Sequence, residues 1–198
     1  MLRAAFGHAV RKVVRATGGR PVPAHNFHAT LLFLGSVAEL RIPDLAAIAA
    51  RAAASTSRPA VASGAAGADT VVPSMRAAAD DASALQLVFD RIEFWEKSRV
   101  LVAMTTAGTG AGHAVAGVLA ETLQRETIGA GFAPDLKPFR AHVTVARKVV
   151  RSTRSLDMHP VPWTFDGFAL VESRTQPEGA VYSVIESYPL SKAHNCGK

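Results

Sequence analysis

Residues 138–147 read PFRAHVTVAR, and residues 28–34, HATLLFL, carry the same His-x-Thr pattern a second time. In extended backbone, side chains at i and i+2 point to one face, roughly 6.5 to 7 Å apart. His142 and Thr144 therefore share a face, with Val143 and Val145 on the other. His28 and Thr30 repeat the arrangement, with Phe27, Ala29 and Leu31 opposite. Each copy is entered through a polar, proline-containing segment, RPVPAHN at 20–26 and LKPFR at 136–140, as strands commonly are. The pattern predicts two strands, each with an apolar underside in a core and an imidazole beside a hydroxyl on its accessible side.

Outward from these copies the chain alternates helical and extended patterns. The start, MLRAAFGHAVRKVVRATGGR, lacks acidic residues as a transit peptide does. Its Leu2, Phe6, Val10 and Val13 nevertheless recur at helical spacing and Gly18-Gly19 supply a stop, so an amphipathic helix is expected. A second helix is expected over 39–54, with Leu40, Leu45, Ile48 and Ala52 inward and Pro43 in its first turn. Residues 55–83 are rich in Ala, Ser and Gly and poor in large apolar side chains. Such a segment buries too little surface to offset its ordering entropy, so it reads as a flexible insertion, with Val71 and Val72 hinting at a short strand.

Residues 85–106 read as two strands joined near 96–98, with Leu85, Leu87 and Phe89 at period two. Trp95 suits the core, the hairpin or a base platform. GTGAGH at 108–113 lacks the Lys-Ser/Thr ending of a phosphate loop. It is read as a turn before a helix with Val115, Leu119 and Leu123 on its buried line. After the second motif come a basic loop to about His159 and two strands, TFDGFALVES and GAVYSVIESYPL, forming an antiparallel hairpin. This near-duplication predicts an α+β fold. Two pseudo-symmetric lobes of antiparallel sheet, with helices packed outside, face one central cleft that carries both His-x-Thr strands. The whole of 1–198 is then one bilobal domain.

Composition narrows the classes. A chain of 198 residues with 48% hydrophobic and 19% charged residues is globular. The net charge of +6 favours a polyanionic partner. Lys137, Arg140, Arg147, Lys148, Arg151 and Arg154 crowd around the second motif. The lone Cys196, in a polar tail, permits no intrachain disulfide, and a reducing cytoplasm is the expected compartment. No apolar run approaches the length of a membrane span, so no membrane partner is expected.

The chain resembles the two-histidine (2H) phosphoesterases, and within them the bacterial RNA 2',3'-cyclic phosphodiesterases once called 2'-5' RNA ligases. The likeness runs in order through RPVPAHNFHATLLFLGSV, DRIEFWEKSRVLVA, GFAPDLKPFRAHVTVARKV and FDGFALVESRTQPEGAVYSVIESYPL, which together cover most of 20–190. Relatives in the family usually begin with an apolar strand ahead of the first helix. Its absence here points to a start codon assigned too far downstream or to an incomplete first sheet, whose open edge lowers stability.

Two imidazoles on facing strands suit hydrolysis of a cyclic phosphodiester. A base must stand beside the attacking water and an acid beside the departing ribose oxygen. A side chain with a pKa near 6.5 fills either role. The hydroxyls of Thr30 and Thr144 can donate hydrogen bonds to the non-bridging oxygens. The spacing alone leaves the two roles interchangeable. The resemblance implies that His28 is the proton donor, that His142 is the proton acceptor, and that the product is a terminal 2'-phosphomonoester. Arg140, in phase with His142, and Arg147, at odd spacing from Thr144, are phosphate-binding candidates, and Phe139 is a candidate base platform.

His25 and His28 fall on opposite faces, and His8, His113, His159 and His194 read as solvated. With no metal-ligand spacing in evidence, the chemistry is expected to need no metal or cofactor. The expected partner is RNA ending in a 2',3'-cyclic phosphate, with the protein acting as a monomer. ATP-independent 2'-5' RNA ligation and a non-catalytic RNA-binding module are the alternatives.

Overall fold

The structure is a computed structural model that describes residues 2–56, 85–105, 111–151, 156–176 and 179–190. Helix α1 (Leu2–Thr17) leads through the short strand β1 (Arg20–Pro21) and a 3-10 turn at Ala24–Asn26 to the first motif. Another 3-10 turn, Glu39–Arg41, opens α2 (Ile42–Thr56). Then follow β2 (Leu85–Trp95), β3 (Val100–Met104), α3 (Ala111–Gly129), β4 (His142–Arg147), β5 (Leu156–Phe165), β6 (Gly167–Gln176) and β7 (Gly179–Pro189). There are two antiparallel sheets, one of five strands in the order β1-β4-β3-β2-β5 and one a hairpin of β6 and β7.

The α+β class follows, built on two main cores. In the first, Phe6, Val10 and Val14 of α1 pack on one face of the sheet, against Phe89, Ile92, Leu101, Ala103, Val143 and Val145. Phe6 is fully buried, with its ring 5.4 Å from Phe27, 5.5 Å from Phe89 and 5.7 Å from Trp163 between centroids. The second core joins Ile48, Ala49, Ala52 and Ala53 of α2 to Leu119 and Leu123 of α3 and Tyr188 of β7, with Leu31 and Leu32 packed against it. The helices meet the sheet closely: a Cβ on Gly112 of α3 would collide with the Gln86 backbone. The opposite face of the sheet carries a smaller apolar cluster of Val100, Val102 and Met104 beside Trp95.

Several local expectations change in the fold. The first motif forms no ladder: only Ala29 makes a bridge, to Val143, and the chain bends at Leu31. Leu40, expected inward, is 80% exposed because the chain at 39–41 is a 3-10 turn outside the register of α2. The stretch to His159, expected as loop, ends in β5, which pairs with β2. Pro160 and Pro162 disguise it, since proline lacks the ladder N–H. They are tolerated because β5 lies at the sheet edge. Ser55 and Thr56 close α2, while the rest of 55–83, expected as an insertion and including Val71 and Val72, lies outside the described residues, as do 106–110, Arg154 and His194.

Candidate functional site

The Ala29–Val143 bridge is antiparallel. Continued one residue each way, its register sets His28 opposite Thr144 and Thr30 opposite His142. The four polar side chains then occupy the corners of one patch, histidines on one diagonal and threonines on the other. Diagonal neighbours of this kind lie roughly 7 to 8 Å apart. The undersides are apolar and held down: Phe27 is buried, and Val143 and Val145 are in the first core. The alternation of the sequence is thereby converted into a shared polar face.

Each imidazole is oriented in the same way. His28 Nδ1 lies 2.7 Å from the Asn26 carbonyl oxygen, and His142 Nδ1 lies 2.7 Å from that of Arg140. A carbonyl only accepts, so each Nδ1 carries a hydrogen and each Nε2 is left to exchange protons. Both carbonyls sit two residues upstream of their histidine. For His28 that geometry is made by the 3-10 turn Ala24–Asn26, and Asn26 Nδ2 in turn donates to the Ala180 carbonyl of β7 at 3.1 Å.

Each ring also rests against an aromatic side chain. Tyr182 of β7 lies 4.5 Å from His28 and Trp95 of β2 lies 4.6 Å from His142, measured between ring centroids. Burial pushes the His142 imidazole below its ordinary value of 6.5. The bond to the Arg140 carbonyl works against that shift, while the positive charges of Arg140 and His28 add to it.

The remaining candidates divide. Arg140 is exposed, and its Nη2 lies 3.3 Å from Glu93 Oε2, with the guanidinium 5.8 Å from the Trp95 ring. Phe139 is half-buried against the first core. At odd spacing from Thr144, Arg147 would point away from the site in a straight strand, but β4 is not straight. Leu101 faces Ala146 but Val102 faces Thr144, so β4 carries an extra residue in a bulge. Val145 and Ala146 are both buried, and the exposed Arg147 returns to the face of His142 and Thr144.

His113, expected in solvent, is half-buried, and its Nδ1 has no hydrogen-bond partner. His8, His25 and His159 are exposed. Among the described residues no group of three His, Cys, Asp or Glu could hold a metal ion, and no helix is long and apolar enough to cross a membrane. The sequence reading singled out neither Asn26 nor Tyr182. Tyr182 follows only the strand alternation of β7, and Asn26 is one polar residue among several, so no local pattern marked them.

The family profile described as LigT like Phosphoesterase matches residues 5–65 and 113–182, which include both His-x-Thr copies. An RNA 2',3'-cyclic phosphodiesterase of Thermus thermophilus is 29% identical over 195 residues, spanning 98% of this chain and 86% of the relative. A crystal structure of a Thermus thermophilus protein superposes with a TM-score of 0.67 at 27% identity, covering 97% of this chain and 93% of that one. E. coli LigT complexed with 3'-AMP shares the fold, with a TM-score of 0.65 at 20% identity over 97% of this chain and 95% of the other.

Proposed function

This chain belongs to the LigT-like phosphoesterase family, and from that premise we propose that it hydrolyses RNA 2',3'-cyclic phosphate ends to 2'-phosphomonoesters. The observation that carries the reading is the matched pair of Nδ1-to-carbonyl bonds, which leave two Nε2 atoms free on one face. A cyclic phosphate seated at the centre of the patch has one imidazole on either side. That is what in-line displacement requires: water enters at one apex as the ribose oxygen leaves at the other.

His142 is the proton acceptor in this proposal. Its lowered pKa keeps it neutral near pH 7, as a base must be before it acts. Its Nε2 takes a proton from water as the oxygen–phosphorus bond forms. His28, protonated, gives the Nε2 proton to the departing 3'-oxygen, and the 2'-phosphate remains. Thr30 and Thr144, on the other diagonal, donate hydrogen bonds to the non-bridging oxygens, where negative charge is held. Arg147 and Arg140 add positive charge for the RNA backbone, and Phe139 offers its ring as a platform for a base.

No metal or cofactor is needed, since acid and base are both side chains. One copy of the chain supplies the whole site, in keeping with a monomer. The lone Cys196 supports a reducing, cytoplasmic setting. Ligation through a 2'-5' linkage would use the same proton transfers with a 5'-hydroxyl in place of water; the name of the Thermus thermophilus relative favours hydrolysis. A purely RNA-binding module has no use for two free Nε2 atoms.

The test is an RNA ending in 2',3'-cyclic phosphate. A new 2'-monoester, lost in His28→Ala and in His142→Ala, is expected; a lengthened strand, or conversion that survives both changes, would overturn the reading.

A further inference from the structure

Beside His142 lies a hollow of about 240 Å³ whose lining includes Arg91, Glu93, Thr105, His113, Phe139 and Arg140. Its place follows from the sheet register. Met104 of β3 pairs with His142 on one side and with Arg91 of β2 on the other. Residues paired across a strand share a face, so Arg91 stands on the face of His142, two strand spacings or roughly 10 Å away. Glu93 and Trp95 continue that row along β2.

The hollow is rich in donors. Glu93 is its one carboxylate, and it is engaged by Arg140 Nη2 and Trp95 Nε1 at 3.3 Å each, with Arg91 Nη1 at 3.8 Å. Each guanidinium has further N–H groups to offer. Thr105 and His113 line the same space. Phe139 and His113 form one wall, with ring centroids 6.4 Å apart. A ligand that only accepts hydrogen bonds and carries negative charge matches this set.

We propose that this hollow is a second phosphate subsite, taking the phosphodiester on the 5' side of the cyclised nucleotide and making an RNA chain end preferred over a cyclic mononucleotide. The proposal rests on the hydrolytic reading of the two histidines. That phosphate hangs from the same ribose as the cyclic one, so it falls within reach of the long Arg91 and Arg140 side chains when the cyclic phosphate is at His142.

The experiment compares kcat/KM for three substrates: adenosine 2',3'-cyclic phosphate, the dinucleotide ApA ending in cyclic phosphate, and that dinucleotide with an uncharged methylphosphonate linkage. The charged dinucleotide is expected to be better by about 10- to 100-fold, the worth of one or two charge-assisted hydrogen bonds. The methylphosphonate should fall to the mononucleotide level, and its log–log salt dependence should be shallower by about 0.7. In Arg91→Ala and in His113→Gln the preference for the charged dinucleotide should shrink severalfold or more.

Binding is measured in parallel, by calorimetry, on the His28→Ala/His142→Ala chain with the same three ligands. A binding preference for the charged dinucleotide without turnover by the unaltered protein supports the subsite while the hydrolytic reading fails. Turnover with equal kcat/KM and equal binding for all three overturns the subsite alone.

Discussion

Ala29 lies opposite Val143 in an antiparallel bridge, and this one pairing brings together motifs more than a hundred residues apart in the chain. Its flanks are the two histidines and two threonines of the candidate site. Val143 is fully buried in the first core, and Leu31, next but one to Ala29, packs on the second. The candidate site therefore lies where residues of the first and second cores meet.

His28→Ala and His142→Ala should each lower the rate on a cyclic phosphate end by about 10²- to 10⁴-fold. The double variant should be little worse than either single change, because the acid and base act in one transition state. Timed separation of cyclic and monoester RNA ends checks this. Fully additive losses would show that the two rings do not act together.

The rate should fall on acidification as His142 takes up a proton. Burial depresses its pKa, so the acidic limb of kcat/KM should lie below pH 6.5, the group's ordinary value. Trp95→Ala removes the ring that lies 4.6 Å away and admits water. The neutral form then loses its advantage, and the acidic limb should move up toward 6.5. An unmoved limb, in a variant that stays folded, would sink the assignment of His142 as the base.

Arg147 stands on the site face only because of the bulge in β4. If it touches the RNA backbone, Arg147→Ala should weaken binding of oligonucleotides of any sequence and reduce the log–log salt slope by about 0.7 for single strands. Arg147→Lys should keep most of that slope. Fluorescence titrations at several salt concentrations give the measurement, and an unchanged slope would return Arg147 to the solvated surface.

Phe6→Ala should cost about 3 to 5 kcal/mol of stability, since the ring is fully buried among Phe27, Phe89 and Trp163. Phe27 directly precedes His28, so the catalytic rate should drop along with the urea midpoint. Loss of stability with full activity at low urea would show that the first motif is held without the α1 core.

Much of the molecule is legible locally. Period-two alternation at Leu85, Leu87 and Phe89 and helical spacing at Phe6 and Val10 report burial directly, because a side chain's face follows from backbone geometry. The reading failed where a tertiary circumstance overrode the local rule. Prolines are excluded from central strands but accepted on the edge strand β5. Leu40 lost its register to a 3-10 turn, and His113 was drawn under the surface where α3 meets β2.

By itself the sequence determined that two segments would each present an imidazole and a hydroxyl on one face over an apolar base. Only the tertiary structure decided how those faces combine: the Ala29–Val143 register, the aromatic rings behind each histidine, the carbonyls that orient them, and the bulge that re-aims Arg147. The reason is that a strand's alternation is a property of its own backbone. Which strand lies beside it, and at what offset, is set by the packing of cores whose residues come from opposite ends of the chain.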